Sequence, residues 1–252
     1  MRADNRENQD LRGIVLTTNY TENPDGSVLI EMGRTKVICT AMIEDKVPLW
    51  LRNKGQGWLT AEYAMLPGST NTRKQRDSTR PKADGRSIEI QRLIGRSLRT
   101  CIDLELIGER TIWIDVDVIQ ADGGTRCAAI NGAFVALYLA MKKLYEQGLI
   151  EKFPIKNFLG AVSVGKVHGD ILLDLNYQED SQAQVDMNVV MNDQGKYCEV
   201  QSSGENGTFD KDEFKAMLDL ATEGINDIFV DQKLALENYL EDYGNEKNPT
   251  SN

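Results

Sequence analysis

The chain has 252 residues, 40% hydrophobic and 27% charged, with one histidine, four cysteines and a net charge of −10. That length is near the upper limit for one hydrophobic core, and the balance is the ordinary one for a globular protein. A lone His168 and cysteines scattered at 39, 101, 127 and 198, none in a CxxC pair, argue against a zinc centre and against a histidine-based nucleophile system.

Each cysteine lies in or beside an apolar segment and reads as a small buried hydrophobe. The charged opening "MRADNRENQDLRG" has no apolar signal-peptide core, and no apolar run reaches the ~18 residues of a membrane span. A cytoplasmic protein with no membrane partner is therefore expected. Residues 26–45, "GSVLIEMGRTKVICTAMIED", read as two strands joined at Met32-Gly33-Arg34, and "GQGWLTAEYAML" (55–66) as a third. Residues 67–86 hold almost no apolar residue and are expected to be a long polar loop, of a length usually tied to function. Over 87–108, apolar residues at 90, 93, 94, 98, 101 and 102 form a helical stripe, with Ser87 able to cap it. Arg92, Arg96 and Arg99, spaced by four and three, share one face away from that stripe.

"RTIWIDVDVIQ" (110–120) alternates as a half-buried strand. Residues 125–148 form a helix apolar on nearly every side, hence central, ending at Lys142, Lys143 and Gly148. Residues 159–175 and 181–201 read as hairpins, with His168 in the first turn and Asn192-Asp193-Gln194-Gly195 as the second. Asp210 and Glu213 have capping-box spacing for a last helix that turns Phe214, Met217, Leu218 and Ala221 inward. Residues 243–252 are polar and expected to be disordered. The element order is α+β or layered α/β, one domain over 1–242 with a hint of two related halves.

Charge is unevenly placed. Residues 73–99 carry nine bases against three acids, whereas residues 205–252 carry twelve acids against four bases. A charge run alone is often only a solvated face, but arginine predominates in this one, which favours phosphate recognition.

At "VIQADGGTRCAAINGAF" a buried strand becomes a buried helix through Asp122-Gly123-Gly124-Thr125-Arg126. A helix N-terminus offers unpaired N–H groups and partial positive charge. Glycine lets a ligand approach the backbone, and Arg126 can grip a phosphate through two parallel bonds. A Gly-Gly turn before a helix is common, so the motif alone does not establish an anion site; it is neither a Walker loop nor GxGxxG. In "LDLNYQEDSQAQVDMNVVM" (173–191), Asp174, Glu179, Asp180 and Asp186 crowd together. Asp186 stands inside a strand pattern, where alternation turns it to solvent or else it must be paired or metal-bound. Asp180 and Asp186 can hold Mg²⁺ or protonate a leaving oxygen.

Taken with "RADNRENQDLR", "GSVLIEMGRTKVICTA", "GQGWLTAEYAMLP" and "GRSIEIQRLIGRSLR", the segments "RTIWIDVDVIQADGGTR" and "LDLNYQEDSQAQVDMNVVM" resemble the ribonuclease PH family over nearly the whole chain to about residue 240. The resemblance implies a two-layer βαβα fold duplicated within the chain. It implies a homohexamer, a trimer of dimers, that uses inorganic phosphate to remove 3′-terminal nucleotides of RNA as nucleoside diphosphates. The RNAs it implies are the 3′ ends of tRNA precursors and others such as rRNA.

Carried onto this sequence, the phosphate site is Arg86 with Gly124, Thr125 and Arg126. The catalytic, Mg²⁺-associated carboxylates are Asp180 and Asp186, and Arg73, Arg76, Arg92, Arg96 and Arg99 serve RNA, some of them also subunit contacts. Two departures stand out. Gly68 occupies the place after "MLP" where the family usually has arginine, so a weaker RNA grip, or one displaced to Arg80 or Lys82, is expected, and Ser202-Ser203 replaces a frequent Gly-Thr. Ring subunits that are catalytically silent would be expected to lack the phosphate arginine or the aspartate pair; this chain keeps both.

Overall fold

The computed structural model describes residues 2–76, 79 and 84–247, the side chains of 240–247 excepted. Arg80, Lys82 and residues 248–252 lie outside the described residues. The first sheet comprises β1 (Ile14–Thr18), β2 (Gly26–Met32), β3 (Thr35–Glu44), β4 (Trp58–Met65) and β5 (Thr111–Gln120), in the order β1-β2-β3-β5-β4. All neighbours are antiparallel except β4 and β5. That parallel pair needs a crossover, supplied by α1 (Gly85–Cys101). α2 (Thr125–Glu146) follows β5. The second sheet holds β6 (Leu159–Val167), β7 (Asp170–Leu173), β8 (Val185–Asn192) and β9 (Tyr197–Ser203) in the order β7-β6-β8-β9, with α3 (Tyr177–Asp180) between β7 and β8 and α4 (Lys211–Lys247) at the end.

Each half is a sheet with helix packed on it, and the halves stack as sheet, α1 with α2, sheet, α4. The strand period of two shows this directly. In β6, Leu159 and Ala161 join the core that holds Phe134 and Leu137 of α2, while Val162 and Val164 join the core that holds Met217, Ala221 and Ile225 of α4. Sheet two is thus covered on both faces at its centre, and β6 reads as a near-continuous apolar run for that reason. By length and composition α2 would pass for a membrane-crossing segment, contrary to the expectation that none reaches that size; 83% of its apolar window is buried, and two flanking sheets account for its composition.

The boundaries differ from the sequence reading in four places. β1 was not anticipated, being a short strand at the edge of its sheet with an alternating half-exposed pattern. α1 starts at Gly85 and stops at Cys101 rather than running over 87–108. Ile102 turns extended and bridges to Ile155, so tertiary pairing overrides an apolar spacing that would continue the helix. The cap position is Asp84, and the Ser87 hydroxyl donates to its carboxylate at 3.4 Å. α3 lies between the two expected hairpins, where no element was read, and α4 runs to Lys247, into the stretch expected to be disordered.

Other local signals are present as read. His168 and Gly169 form the exposed β6–β7 turn with φ of 51° and 90°. Asp210 and Glu213 bond reciprocally as a capping box. Cys39, Cys101 and Cys127 are buried free thiols, and Cys198 is half-buried.

Candidate active site

The strand-to-helix turn is built by close approach. Gly123 and Gly124 both adopt positive φ, 76° and 62°. A Cβ on Gly123 would lie 2.5 Å from the Leu175 carbonyl oxygen, and one on Gly124 would lie 2.8 Å from Nη2 of Arg12. Only glycine lets the turn lie against the segment that leads to Asp180. The Thr35 hydroxyl secures the turn, accepting from the Asp122 amide (2.9 Å) and donating to the Gly123 carbonyl (2.7 Å). Gly124 is the N-cap of α2, and among the described residues no side chain caps the first turn there. Those donors keep their positive end toward the cleft.

Thr125 is buried, and its Oγ1 accepts from the Tyr63 hydroxyl at 3.1 Å. With that lone pair used, the threonine hydrogen is left to point elsewhere. Arg126 donates from Nη1 to Oε1 of Gln201 on β9 at 3.0 Å and approaches Glu89 on α1 at 3.8 Å. Gln201 in turn donates to Glu89 at 3.2 Å, which turns its amide oxygen toward the arginine. Arg86, in the first turn of α1, is exposed. Its positive charge acts on both Tyr63 and Asp180.

The carboxylates arrive from the second half. Residues of β8 with even numbers face α2: Val190 joins the α2 core, Asn188 accepts from the Cys127 thiol at 3.3 Å, and Asp186 continues the row. Alternation therefore turns Asp186 into the cleft rather than to solvent. Asn188 donates to its two oxygens at 3.1 and 3.4 Å. Burial, followed by the charge of Asp180, pushes the Asp186 carboxyl up to about 6, against the pull of Arg126. Asp180 closes α3, whose N-terminus is a capping box between Asn176 and Glu179. Burial raises Asp180 as well, with Arg86 and Arg126 pulling it back and Glu205 adding to the rise. The cleft thus brings Arg86, Arg126 and Asp186 within electrostatic reach of Asp180, with Thr125 next to Arg126 at the start of α2.

The other two carboxylates of that acidic span are committed elsewhere: Asp174 pairs with Arg12 at 2.7 Å and Glu179 with Arg2 at 2.7 Å. The remaining arginines do not join the cleft within one chain. Arg73 and Arg76 are exposed in the β4–α1 loop, and the charge of Arg76 acts on Asp117, on the face of sheet one away from the helices. Arg96 forms a bidentate pair with Glu199 of β9, both bonds 2.8 Å. Arg99 donates to the Leu59 carbonyl at 2.9 Å and lies over the Trp58 ring at 4.9 Å. With the exposed Arg92, Gln91, Thr60 and Gly95 they line a cleft of about 200 Å³ beside edge strand β4. Tyr63, Glu89, Asn188 and Gln201 were not foreseen. Asn188 was within reach of sequence reasoning, two positions after Asp186 on the same strand face; the others have no local signal.

Residues 10–143 match the 3′ exoribonuclease family, domain 1, and residues 157–224 match its domain 2. The chain is 54% identical to the ribonuclease PH of Syntrophomonas wolfei over 235 residues, 93% of this chain and 98% of that protein. The chain belongs to the ribonuclease PH family. Identity is also 54% to the ribonuclease PH of Bacillus cereus (strain AH187) over 237 residues, 94% of this chain and 97% of that one. Its activity is that of the family, phosphorolytic 3′-to-5′ removal of nucleotides from RNA. The fold is shared with rice (Oryza sativa) Rrp46, at TM-score 0.74 and 18% identity over 92% of this chain and 98% of that one. It is shared too with a chain of the Archaeoglobus fulgidus exosome with RNA bound to its active site, at TM-score 0.74 and 20% identity over 90% and 91%.

Proposed function

We propose that the cleft between the N-terminus of α2 and the Asp180–Asp186 pair is where inorganic phosphate meets the 3′ end of RNA. One observation carries this: the charge of Arg126 acts on both half-buried carboxylates, and that of Arg86 on Asp180, beside a helix N-terminus with no side-chain cap among the described residues. Phosphate is already anionic at neutral pH, so no base is needed to activate it, in keeping with His168 lying in an exposed turn. The difficulty is to bring two anions together. Arg86, Arg126, the Thr125 hydroxyl and the first-turn amides of α2 neutralise and orient the attacking phosphate. A phosphate oxygen bonds to the terminal phosphorus, the bond from that phosphorus to the preceding 3′ oxygen breaks, and that oxygen takes a proton. A carboxyl held near 6 is suited to carry the proton, and Asp186 is the one so held.

Asp180 and Asp186 also fit Mg²⁺. A carboxylate whose proton affinity is raised by burial and by a second carboxylate, as Asp186 is by Asp180, is relieved by a cation, and Mg²⁺ takes one or two carboxylates with phosphate oxygens completing its shell. When bound there, it would offset charge on the scissile phosphate. Arg73, Arg76 and the exposed Arg92 would track the RNA backbone, with Arg96 and Arg99 holding the floor of that path. The substrates in the cell are the 3′ extensions of tRNA precursors, with rRNA among the others, and the working form is a homohexamer, a trimer of dimers, in the cytoplasm.

The test is to titrate inorganic phosphate against a 3′-extended tRNA. Phosphate-dependent release of nucleoside diphosphates, with Arg86→Ala raising the phosphate KM and sparing RNA binding, is the expected result. Release of monophosphates, or loss of RNA binding in step with the phosphate effect, would overturn the site assignment. A molar mass in solution six times that of the chain tests the ring.

A further inference from the structure

The segment "RADNRENQDLR", which opens the chain, has no place in the chemistry so far, yet its arginines are among the most deeply buried charges of the molecule. Arg2 and Arg12 are each 6% exposed, and Asp174 is fully buried. We propose that residues 2–12 position the reacting groups: Arg2 sets the short helix that carries Asp180, and Arg12 sets the phosphate-side turn against the carboxylate-side segment. This rests on the reading of the cleft given above.

Arg2 uses its guanidinium from every side. Nε and Nη2 grip the two Glu179 oxygens at 2.7 and 2.8 Å. Nη1 donates to the Leu173 carbonyl at 2.8 Å and Nη2 to the Asp174 carbonyl at 3.1 Å. Glu179 is the residue before Asp180, and its carboxylate also accepts from the Asn176 amide at 3.0 Å, closing the cap of α3. Arg2 therefore fixes the start of α3 and the backbone entering it, and Asp180 is the last residue of that single turn. Arg6 adds a third cation to the same segment, donating to the Asp174 carbonyl at 3.0 Å.

Arg12 joins the two walls. Its Nε and Nη2 hold Asp174 at 2.9 and 2.7 Å, its own amide donates to Asp174 at 2.9 Å, and Nη1 reaches the Asp122 carbonyl at 2.6 Å. Asp122 begins the Gly123-Gly124-Thr125-Arg126 turn; Asp174 begins the run to Asp180. One guanidinium thus spans the two segments whose separation decides whether an attacking phosphate and a scissile phosphate meet in line. A ~1 Å error there is costly in rate. Lysine cannot replace either arginine, because three donors on a flexible stem do not reproduce a planar fork with five.

The test compares Arg2→Lys and Arg12→Lys in the full-length protein, with folding verified by circular dichroism and the assay run well below each variant's Tm. Arg2→Lys is expected to lower kcat at saturating phosphate tenfold or more, with the phosphate KM and RNA Kd within about twofold of the parent. Arg12→Lys is expected to lower kcat and raise the phosphate KM together. The deciding arm is Arg2→Lys in an Asp180→Asn background, where it should cost no further activity, since its effect passes through Asp180. A full additional loss there, or a rate loss for Arg2→Lys that merely tracks its unfolded fraction, overturns the positioning role. If Asp180→Asn itself leaves phosphorolysis intact, the assignment of the cleft fails instead. Should Arg12→Lys not fold, the Arg2 arms decide the question by themselves.

Discussion

Arg126 and Arg96 stand on adjacent helices, both face β9, and both lie near a glutamate, yet their surroundings set them to different tasks. Arg126 has one hydrogen bond to a neutral amide and a loose 3.8 Å approach to Glu89. Arg96 is gripped by both oxygens of Glu199, a pairing that raises its already high proton affinity. Arg99, one turn on, is held by a carbonyl and an indole face. A guanidinium with spare donors can take up phosphate; one whose fork is filled by a carboxylate ties α1 to the second sheet. The residue type is the same, and what it meets across the helix–sheet boundary decides the role.

The largest effect comes from removing the carboxylate that Arg126 faces. Asp186→Asn should lower phosphorolysis by about 10²-fold or more if the group carries a proton or a metal. The same change should stabilise the metal-free protein. The folded carboxyl is raised from 3.8 to about 6, so its ionisation opposes folding, fully above about pH 6 and not at all once both states are protonated. Asparagine removes a cost of up to about 3 kcal/mol. Urea melts should show the gain at pH 8, its decline below about pH 6 and its disappearance by about pH 3, below both values; a gain undiminished at pH 3 would mean packing, not charge, is responsible.

Next is Arg126→Ala. If each charged bond to phosphate is worth ~1.5–3 kcal/mol, the rate at subsaturating phosphate should fall roughly 10- to 150-fold while RNA affinity holds. Arg96→Ala provides the contrast. Its side chain is 40% exposed, so solvent screens the pair, and the loss should be only about 0.5–1 kcal/mol, read as a fall of one to three degrees in Tm, with the phosphate KM unchanged. A larger change in phosphate KM for Arg96→Ala than for Arg126→Ala would erase the distinction between the two arginines.

The smallest effect adds a charge. A Cβ at Gly68 meets nothing within 4 Å, so Gly68→Arg can restore the arginine the family usually carries after "MLP". One added phosphate contact should tighten RNA binding a few-fold at low salt and steepen its salt dependence by about one unit of slope, leaving phosphate KM alone.

Much of the scaffold was legible because its signals are local. Alternation marked β5, apolar runs about turn residues marked β2, β3 and β6, the Asp210–Glu213 spacing marked the start of α4, and two glycines before an apolar helix marked the turn at the cleft. The failures share a cause. α1 stops at Cys101 because Ile155 captures Ile102, and β1 is a strand because β2 lies beside it; each partner is remote in sequence. The site divides in the same way. Asp180 and Asp186 stood out as acids in an apolar context, but nothing local separated them from Asp174 and Glu179, which the arginines at 12 and 2 neutralise across more than 160 positions.

By itself the sequence determined most of the strands and helices, where glycines open the turn before α2, and which residue types could serve phosphate chemistry, since all of these follow from short-range sterics and periodicity. The tertiary structure alone decided which acids of the cleft have no ion-pair partner among the described residues and which arginines keep donors to spare. Charge pairing depends on distance through space, and only the stacking of the two sheets about α2 fixes those distances.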